Sequence, residues 1–428
     1  MSRSPFSAEI WLAAGVRTPF AKVDGALGTY DAIGLSVPVV RHMIKQLDGA
    51  LPDFAVWGTV VPNLTWSNIA REILMEAGVL PRVTAFSTVM ACSTSMIAAI
   101  QAAGMIDGVS RNLALVGGAE SMSRVQLGLG QKLSDWIRGF QQARSLGQKV
   151  SHAVGLRPGD VQLYIPSVTN RTTGLSMGEH TEITAKEWQI SRAEQDQHAL
   201  DSHRRAVAAW EQGFFNDLVI PIDDLRRDAL PRRDTSLERL AKLPPAFDRS
   251  TGQGSLTAGN SSPLTDGAAG LWVASQGGLV KLPPGLPKVK LIDWEISSVD
   301  FRVEGLLMAP AFAIPKLLAR QQLRYDDIAL WEIHEAFAAQ VLFHIKALQS
   351  PEFLRNKAGV DFDFGAFPSE RVNPNGGSVA LGHPFGATGA RILSQAVAEL
   401  SSMPPGTRAI VSICADGGQG SVALLEAG

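Results

Sequence analysis

The chain has 428 residues, 45% of them hydrophobic, with 39 Lys+Arg against 41 Asp+Glu and a net charge of −2. This length exceeds what one small core needs and predicts two or three domains or a fused pair. The balanced charge gives no electrostatic reason to expect nucleic acid or an anionic membrane as main partner. Two cysteines, Cys92 and Cys414, exclude a cysteine-rich disulfide scaffold and fit a reducing compartment, with a single disulfide between them left open.

The first ten residues contain no long apolar run of the secretory kind, and they are too short for a transit peptide before the first predicted strand, Ile10–Ala14. No apolar stretch reaches membrane-spanning length. The C-terminal Glu-Ala-Gly is neither a peroxisomal nor an ER address. The expectation is a soluble, cytoplasmic protein. Further strands are predicted at Ala55–Val61 and Leu113–Val116. Between them Ser95–Ala103 reads as a helix, with Met96, Ile100 and Ala103 on one face.

From about 126 to 245 polar and charged residues increase and the alternation fades, as expected of an excursion from the first half. It holds one well-marked helix. Ser191 and Glu194 form a capping box, Ala199, His203, Val207 and Trp210 make a stripe, and Gly213 closes it. Leu282–Pro287, rich in proline, reads as a linker. Beyond it come a strand at Ile328–Ile333, a helix at Gly389–Leu400 and a strand at Ala409–Ile413. Alternating strands and helices predict α/β layers. A faint repeat follows: a turn with Cys92, a helix and a strand ending in Gly117-Gly118 are matched by a turn with His383, a helix and a strand ending in Cys414 and Gly417-Gly418. Stacked halves would bring both turns to one cleft.

Three residues attract chemical attention. Cys92 stands where an apolar segment ends and a helix begins. The positive end of a helix favours thiolate, and such thiols fall to pKa values of about 3.5–7.5. A lowered Cys92 pKa is therefore expected. His383 lies in the glycine-dense Asn373–Gly389 stretch, which suits a tight turn presenting an imidazole. Cys414 ends a strand before Ala415-Asp416-Gly417-Gly418, where backbone amides can face an anion. The pair His334-Glu335 invites a zinc-protease reading, but position 338 is Ala338 and the second histidine is missing. No other spacing predicts a metal, His198 and His203 do not share a helix face, and no phosphate loop or dinucleotide fingerprint is present.

Eight stretches in order then resemble one family: Val16–Phe20, the Cys92 turn, Gly117–Ser123, Met177-Gly178, Thr257–Asn260 with Asp266–Ala269, His334–Ala338, Gly382–Pro384, and Cys414 before Gly417–Gly420. The chain resembles the thiolases over nearly its whole length. The resemblance implies two similar βαβαβαββ halves, residues 1–278 and 279–428, in a five-layer αβαβα core with an inserted loop domain at about 126–245. It implies that Cys92 carries the acyl group as a thioester, that His383 takes its proton, and that Cys414 moves a proton at the α-carbon. His334 and His383 would form one oxyanion site and the backbone amides of Cys92 and Asp416 the other. Met177, Ser262 and Phe337 match positions lining the pantetheine and acyl path. Coenzyme A enters as substrate, with no permanently bound cofactor or metal. A homodimer or homotetramer is implied, and so is a partner subunit with hydratase and dehydrogenase activities.

Two residues depart from the family's pattern. His334 stands where many members have Asn, and the His-Glu-Ala-Phe form resembles the branch of the trifunctional-complex β subunit, which degrades longer 3-ketoacyl-CoAs. Asp416 replaces the usual glycine or alanine, and a carboxylate there is unfavourable unless it points away. Two other readings are weighed against a degradative thiolase. One is a ketoacyl-synthase-like condensing enzyme, which does not need Cys414 as base. The other is a non-catalytic acyl-CoA-binding homologue, which the intact Cys92, His383 and Cys414 oppose.

Overall fold

Strand residues alternate between two faces, and here both faces are covered. The computed structural model describes residues 5–166 and 168–428. In the first half β1 (Trp11–Arg17), α1 (Ala32–Lys45), β2 (Phe54–Gly58), α2 (Ile69–Glu76), β3 (Thr84–Ser87), α3 (Thr94–Met105), β4 (Leu113–Glu120) and β5 (Thr265–Ala274) follow one another. Phe54 and Val56 of β2 point into one apolar cluster with α3, whereas Ala55 and Trp57 point into another with α1 and α2. The sheet order is β3-β2-β4-β5-β1, with β2 parallel to β3 and β4.

The second half repeats the plan with β6 (Lys288–Ser298), α6 (Ala309–Gln321), β7 (Leu330–Ile333), α7 (Ala338–Leu348), α8 (Thr388–Leu400), β8 (Arg408–Ala415) and β9 (Gln419–Ala427). Its sheet order is β7-β8-β9-β6. The strand expected between α7 and α8 is reduced to one parallel bridge, Trp331 to Val372, beyond β7. Leu330, Ala409, Val411, Ala423 and Leu425 face α3 and α8, while Trp331, Ile333, Ile410 and Leu424 face α6 and α7. The layers are therefore α1/α2, sheet, α3/α8, sheet, α6/α7. Antiparallel pairing of β1 with β6, Trp11 opposite Lys290, makes the two sheets continuous.

The central helices sit close together because a glycine permits it. A Cβ on Gly389 would lie 2.3 Å from the Met96 amide nitrogen. This contact holds the starts of α3 and α8 against each other, and the Cys92 and His383 turns are immediately upstream.

Residues 121–264 leave the sheet between β4 and β5, extending past the compositional window 126–245 at both ends. They include α4 (Met177–Glu187) and α5 (Arg192–Glu211). The Ser191–Glu194 capping box is present, Ala199, His203 and Trp210 are buried, Val207 is half-buried, and Gly213 takes φ +81° beyond the end of the helix.

Candidate active site

Four side chains named from the sequence meet where the halves join. Cys92 is presented by a tight turn between β3 and α3. Ala91 holds φ +43°, a left-handed backbone a side chain disfavours. The Thr94 hydroxyl fixes the turn, donating to the Ala91 carbonyl at 2.7 Å and accepting from the Met90 amide at 2.9 Å. His383 follows Gly382, whose φ is +98°, and its amide donates to Thr265 Oγ1 at 3.1 Å. The Thr388 hydroxyl donates to the Pro384 carbonyl at 2.8 Å, so its lone pair receives His383 Nδ1–H at 2.7 Å. That assignment leaves Nε2 as the basic nitrogen.

His334 follows β7 and is pinned by its amide to the Ser412 carbonyl at 2.8 Å. Its Nδ1 lies 3.6 Å from Cys414 Sγ, and its ring centroid is 4.2 Å from that of His383. A protonated Cys414 donates to Nδ1, so the hydrogen of His334 stands on Nε2. Both Nε2 atoms are buried with no hydrogen-bond partner among the described residues. Buried polar atoms ordinarily have partners, so two such atoms side by side mark a place for a reacting group. Cys414 is close enough to Cys92 for the two sulfurs to influence each other electrostatically.

The resting electrostatics correct one sequence expectation. Burial, then the carboxylates of Asp416 and Glu120, push the Cys92 thiol up to about 12 rather than down. Cys92 keeps some solvent contact, but protein surrounds its sulfur on most sides and desolvation dominates. The amides of Cys92 and Asp416 both face that sulfur and partly offset this. Burial also raises Cys414, and Cys92 adds to it. Burial, helped by the Arg391 guanidinium, lowers His383 to about 3. Burial and then His383 hold His334 well below the ordinary histidine range. All four shifts favour the neutral forms, two thiols and two uncharged imidazoles.

The Asp416 carboxylate is engaged through Oδ1, accepting from Asn170 Nδ2 at 2.9 Å and from the Gly417 amide at 2.7 Å. Met177 begins α4, and Phe337 precedes α7; both pack in the apolar cluster that contains Cys414. Ser262 donates its hydroxyl to the Ala336 carbonyl at 2.8 Å, so it braces the loop before Phe337.

Other residues escaped sequence reasoning. Phe247 meets the Phe337 ring edge-on at 5.8 Å, and a Cβ on Gly178 would fall 2.2 Å from it. Glu335 collects His198 Nε2 at 3.2 Å, the Ser202 hydroxyl at 2.7 Å, Asn373 Nδ2 at 2.7 Å and the Val379 amide at 3.2 Å. Burial alone would raise its pKa, but His198 and those hydrogen bonds bring it to about 2. It thereby ties α5 and the glycine-rich stretch to the strand end bearing His334. Glu120 does the same on the other side, accepting from Thr59, Val60, Val61 and, at 3.1 Å, the Gly386 amide. The only sequence signal for either was a carboxylate inside an apolar motif.

Among the described residues no group of three or more His, Cys, Asp or Glu is placed to hold a metal ion, and no helix is long and apolar enough to cross a membrane. A cleft of about 1110 Å³ opens beside α1, lined by Arg41, His42 and Asn216, and contains none of the four site residues.

Residues 10–277 match the thiolase N-terminal domain and residues 286–427 the thiolase C-terminal domain. The chain belongs to the thiolase family. It is 37% identical over 426 residues to 3-ketoacyl-CoA thiolases of Pectobacterium atrosepticum and Yersinia pestis, covering 97% of this chain and 96% of each relative. Among solved thiolase structures, it resembles the Bacillus anthracis acetyl-CoA acetyltransferase with TM-score 0.80 and 30% identity, over 99% of this chain and all of that one. It resembles the Ascaris suum Acat5 thiolase, solved in complex with coenzyme A, with TM-score 0.78 and 30% identity, over 98% of this chain and all of that one. A thiolase fold thus carries both cysteines and both histidines to one point.

Proposed function

We propose that this thiolase cleaves 3-ketoacyl-CoA with coenzyme A into acetyl-CoA and a shortened acyl-CoA, through an acyl-Cys92 intermediate. The observation that carries this reading is the meeting of Cys414 with His334 at 3.6 Å and of His334 with His383 at 4.2 Å between ring centroids, with both Nε2 atoms unpartnered among the described residues. Cys92 Sγ attacks the keto carbon while its proton passes to His383 Nε2. The oxygen of the tetrahedral adduct accepts from the Cys92 and Asp416 amides. The bond between α- and keto carbons then breaks, its electron pair moving into the enolate of acetyl-CoA. The His334 Nε2–H and the imidazolium of His383 hold that enolate oxygen, and Cys414 protonates the carbon. The thiol of a second coenzyme A gives its proton to Cys414 and attacks the thioester. Cys92 leaves and recovers its proton from His383. Each oxyanion donor contributes on the order of 3 kcal/mol, and covalent catalysis divides one hard step into two.

Cys414 also separates this from a decarboxylating synthase, which needs no second thiol. Met177, Phe337 and, beside them, Ser262 are assigned to the pantetheine and acyl path. The exposed end of the sheet at β3, next to the Cys92 turn, suits pairing with a second copy, so a homodimer or homotetramer is proposed. A hydratase/dehydrogenase partner, a cytoplasmic setting, a role in fatty acid β-oxidation and the trifunctional-like branch belong to the same reading. The test is cleavage of 3-ketoacyl-CoAs from short to long chains by the purified protein. Cys92→Ala is expected to abolish turnover while coenzyme A still binds. Full activity in that variant would overturn the mechanism, and light scattering of the purified protein decides the assembly.

A further inference from the structure

Asp416 places a carboxylate beside the residue whose charge must develop. The backbone there has two jobs: β8 delivers Cys414, and two residues later the Asp416 amide faces Cys92 Sγ. Gly417 and Gly418, at φ +85° and +72°, then turn the chain into β9. A bond that steers the Asp416 side chain therefore also steers its amide.

That bond comes from far away in sequence. Asn170 is buried and locked within its own turn. Its Oδ1 accepts from the amides of Thr172 at 2.9 Å and Thr173 at 3.3 Å, and its backbone pairs with Leu175 and Gly174. The carboxamide nitrogen is left to donate to Asp416 Oδ1 at 2.9 Å. The same turn runs directly into Ser176 and Met177, the cap and first residue of α4. The Asn170 bond thus links the segment that enters the acyl path to the turn that serves Cys92.

We propose that Asn170 is a positioning residue that holds the Asp416 carboxylate away from Cys92 and its amide toward it. Without the Asn170 donor, the carboxylate keeps only the Gly417 amide and is free to rotate toward the thiol. Cys92 also feels the carboxylate of Glu120 of β4 and faces Cys414 of β8, so the charge of Asp416 adds to an environment already hostile to thiolate. A closer carboxylate disfavours the thiolate further. The inference rests on Cys92 being the nucleophile in the proposed function, and its test is chosen to work without turnover.

The experiment is alkylation of Cys92 by iodoacetamide across pH, followed by mass spectrometry of the Cys92 peptide, in the full chain. Asn170→Ser keeps an uncharged side-chain oxygen for the local turn and is too short to reach Asp416; Asn170→Ala is the second variant. Each is made in the native and in the Asp416→Ala background. In the native background both are expected to move the alkylation profile to higher pH, slowing the reaction about tenfold at fixed pH for one pKa unit. In the Asp416→Ala background neither variant is expected to slow it further, since the carboxylate is gone. Equal slowing in both backgrounds would make Asn170 merely structural and overturn the proposal, as would no slowing in the native one. Loss of 3-ketoacyl-CoA cleavage with this alkylation pattern intact would instead count against the proposed function.

Discussion

The Cys92 turn and the His383 turn occupy the same place in the two halves, yet they are built differently. Each leads into a central helix whose first residue is a threonine, Thr94 or Thr388, and each threonine donates its hydroxyl back to a carbonyl of its turn. In the first half the hydroxyl's lone pair goes to the backbone amide of Met90, and the turn is short and carries a strained alanine. In the second half it goes to the imidazole of His383, and a long glycine-rich path replaces the strand. A nucleophile must be exposed at a fixed point, whereas a base must also have its tautomer set. The same threonine device serves both needs, and the structural difference follows from the chemistry each side chain performs.

Several variants break or sharpen that comparison. His383→Ala removes the base and is expected to lower kcat on the order of 10²–10⁴-fold in steady-state cleavage assays; a smaller loss than from any Thr388 variant would end the assignment. Thr388→Val removes the Nδ1 acceptor and is expected to lower kcat about tenfold with KM little changed, the equivalent of about 1.4 kcal/mol. Thr94→Val is expected to cost stability instead, about 1 kcal/mol in urea denaturation. If Thr94→Val lowers kcat as much as Thr388→Val, the two threonines do not differ in role.

A pH experiment tests the buried neutral histidines, His383 of the site and His344 within α7, whose Nε2–H donates to the Leu307 carbonyl. His383 and His344 are buried with pKa values lowered to about 3 and about 4, chiefly by desolvation. The unfolded chain takes up protons at these histidines below its ordinary pKa of about 6.5 while the folded chain does not. Stability is therefore full above that pH and falls as pH drops through it toward the folded values. Each histidine contributes about 1.4 kcal/mol per pH unit in that window. A thermal midpoint that stays flat from pH 7 to pH 5 would contradict the buried neutral imidazoles. The smallest effect is Ala91→Gly, in which easier positive φ is partly offset by glycine's greater unfolded-state entropy; a net stabilisation of about 0.5 kcal/mol is expected, read as a rise in the urea midpoint.

Much of the frame was legible because its signals are local. The short apolar runs of the strands, the capping box at Ser191 and the apolar face of the helix after Cys92 all lie within a few residues. The thiolase motifs around Cys92, His334, His383 and Cys414 were legible for the same reason. The direction of the Cys92 pKa was not. A helix start is visible in sequence, but burial and the carboxylates of Asp416 and Glu120 come from strands distant along the chain. Glu335 as a four-donor acceptor and Phe247 against Phe337 were hidden too, since each depends on partners from the excursion. The missing third strand of the second half was unreadable because a single bridge at Val372 leaves no alternating pattern. Pro38 in α1 and Pro315 in α6, at matching helical positions, are a repeat signal the residues did carry.

The seam between β1 and β6 has a consequence for how the molecule is made. β1 is synthesised well before its neighbours on either side, β5 and β6. Both edges of the first strand stay unpaired until more than half of the chain has been synthesised. Such distant pairing slows folding and leaves sticky edges exposed meanwhile. The nascent first half therefore exposes strand edges that the finished fold covers, and the β1–β6 seam ties completion of one half to the birth of the other.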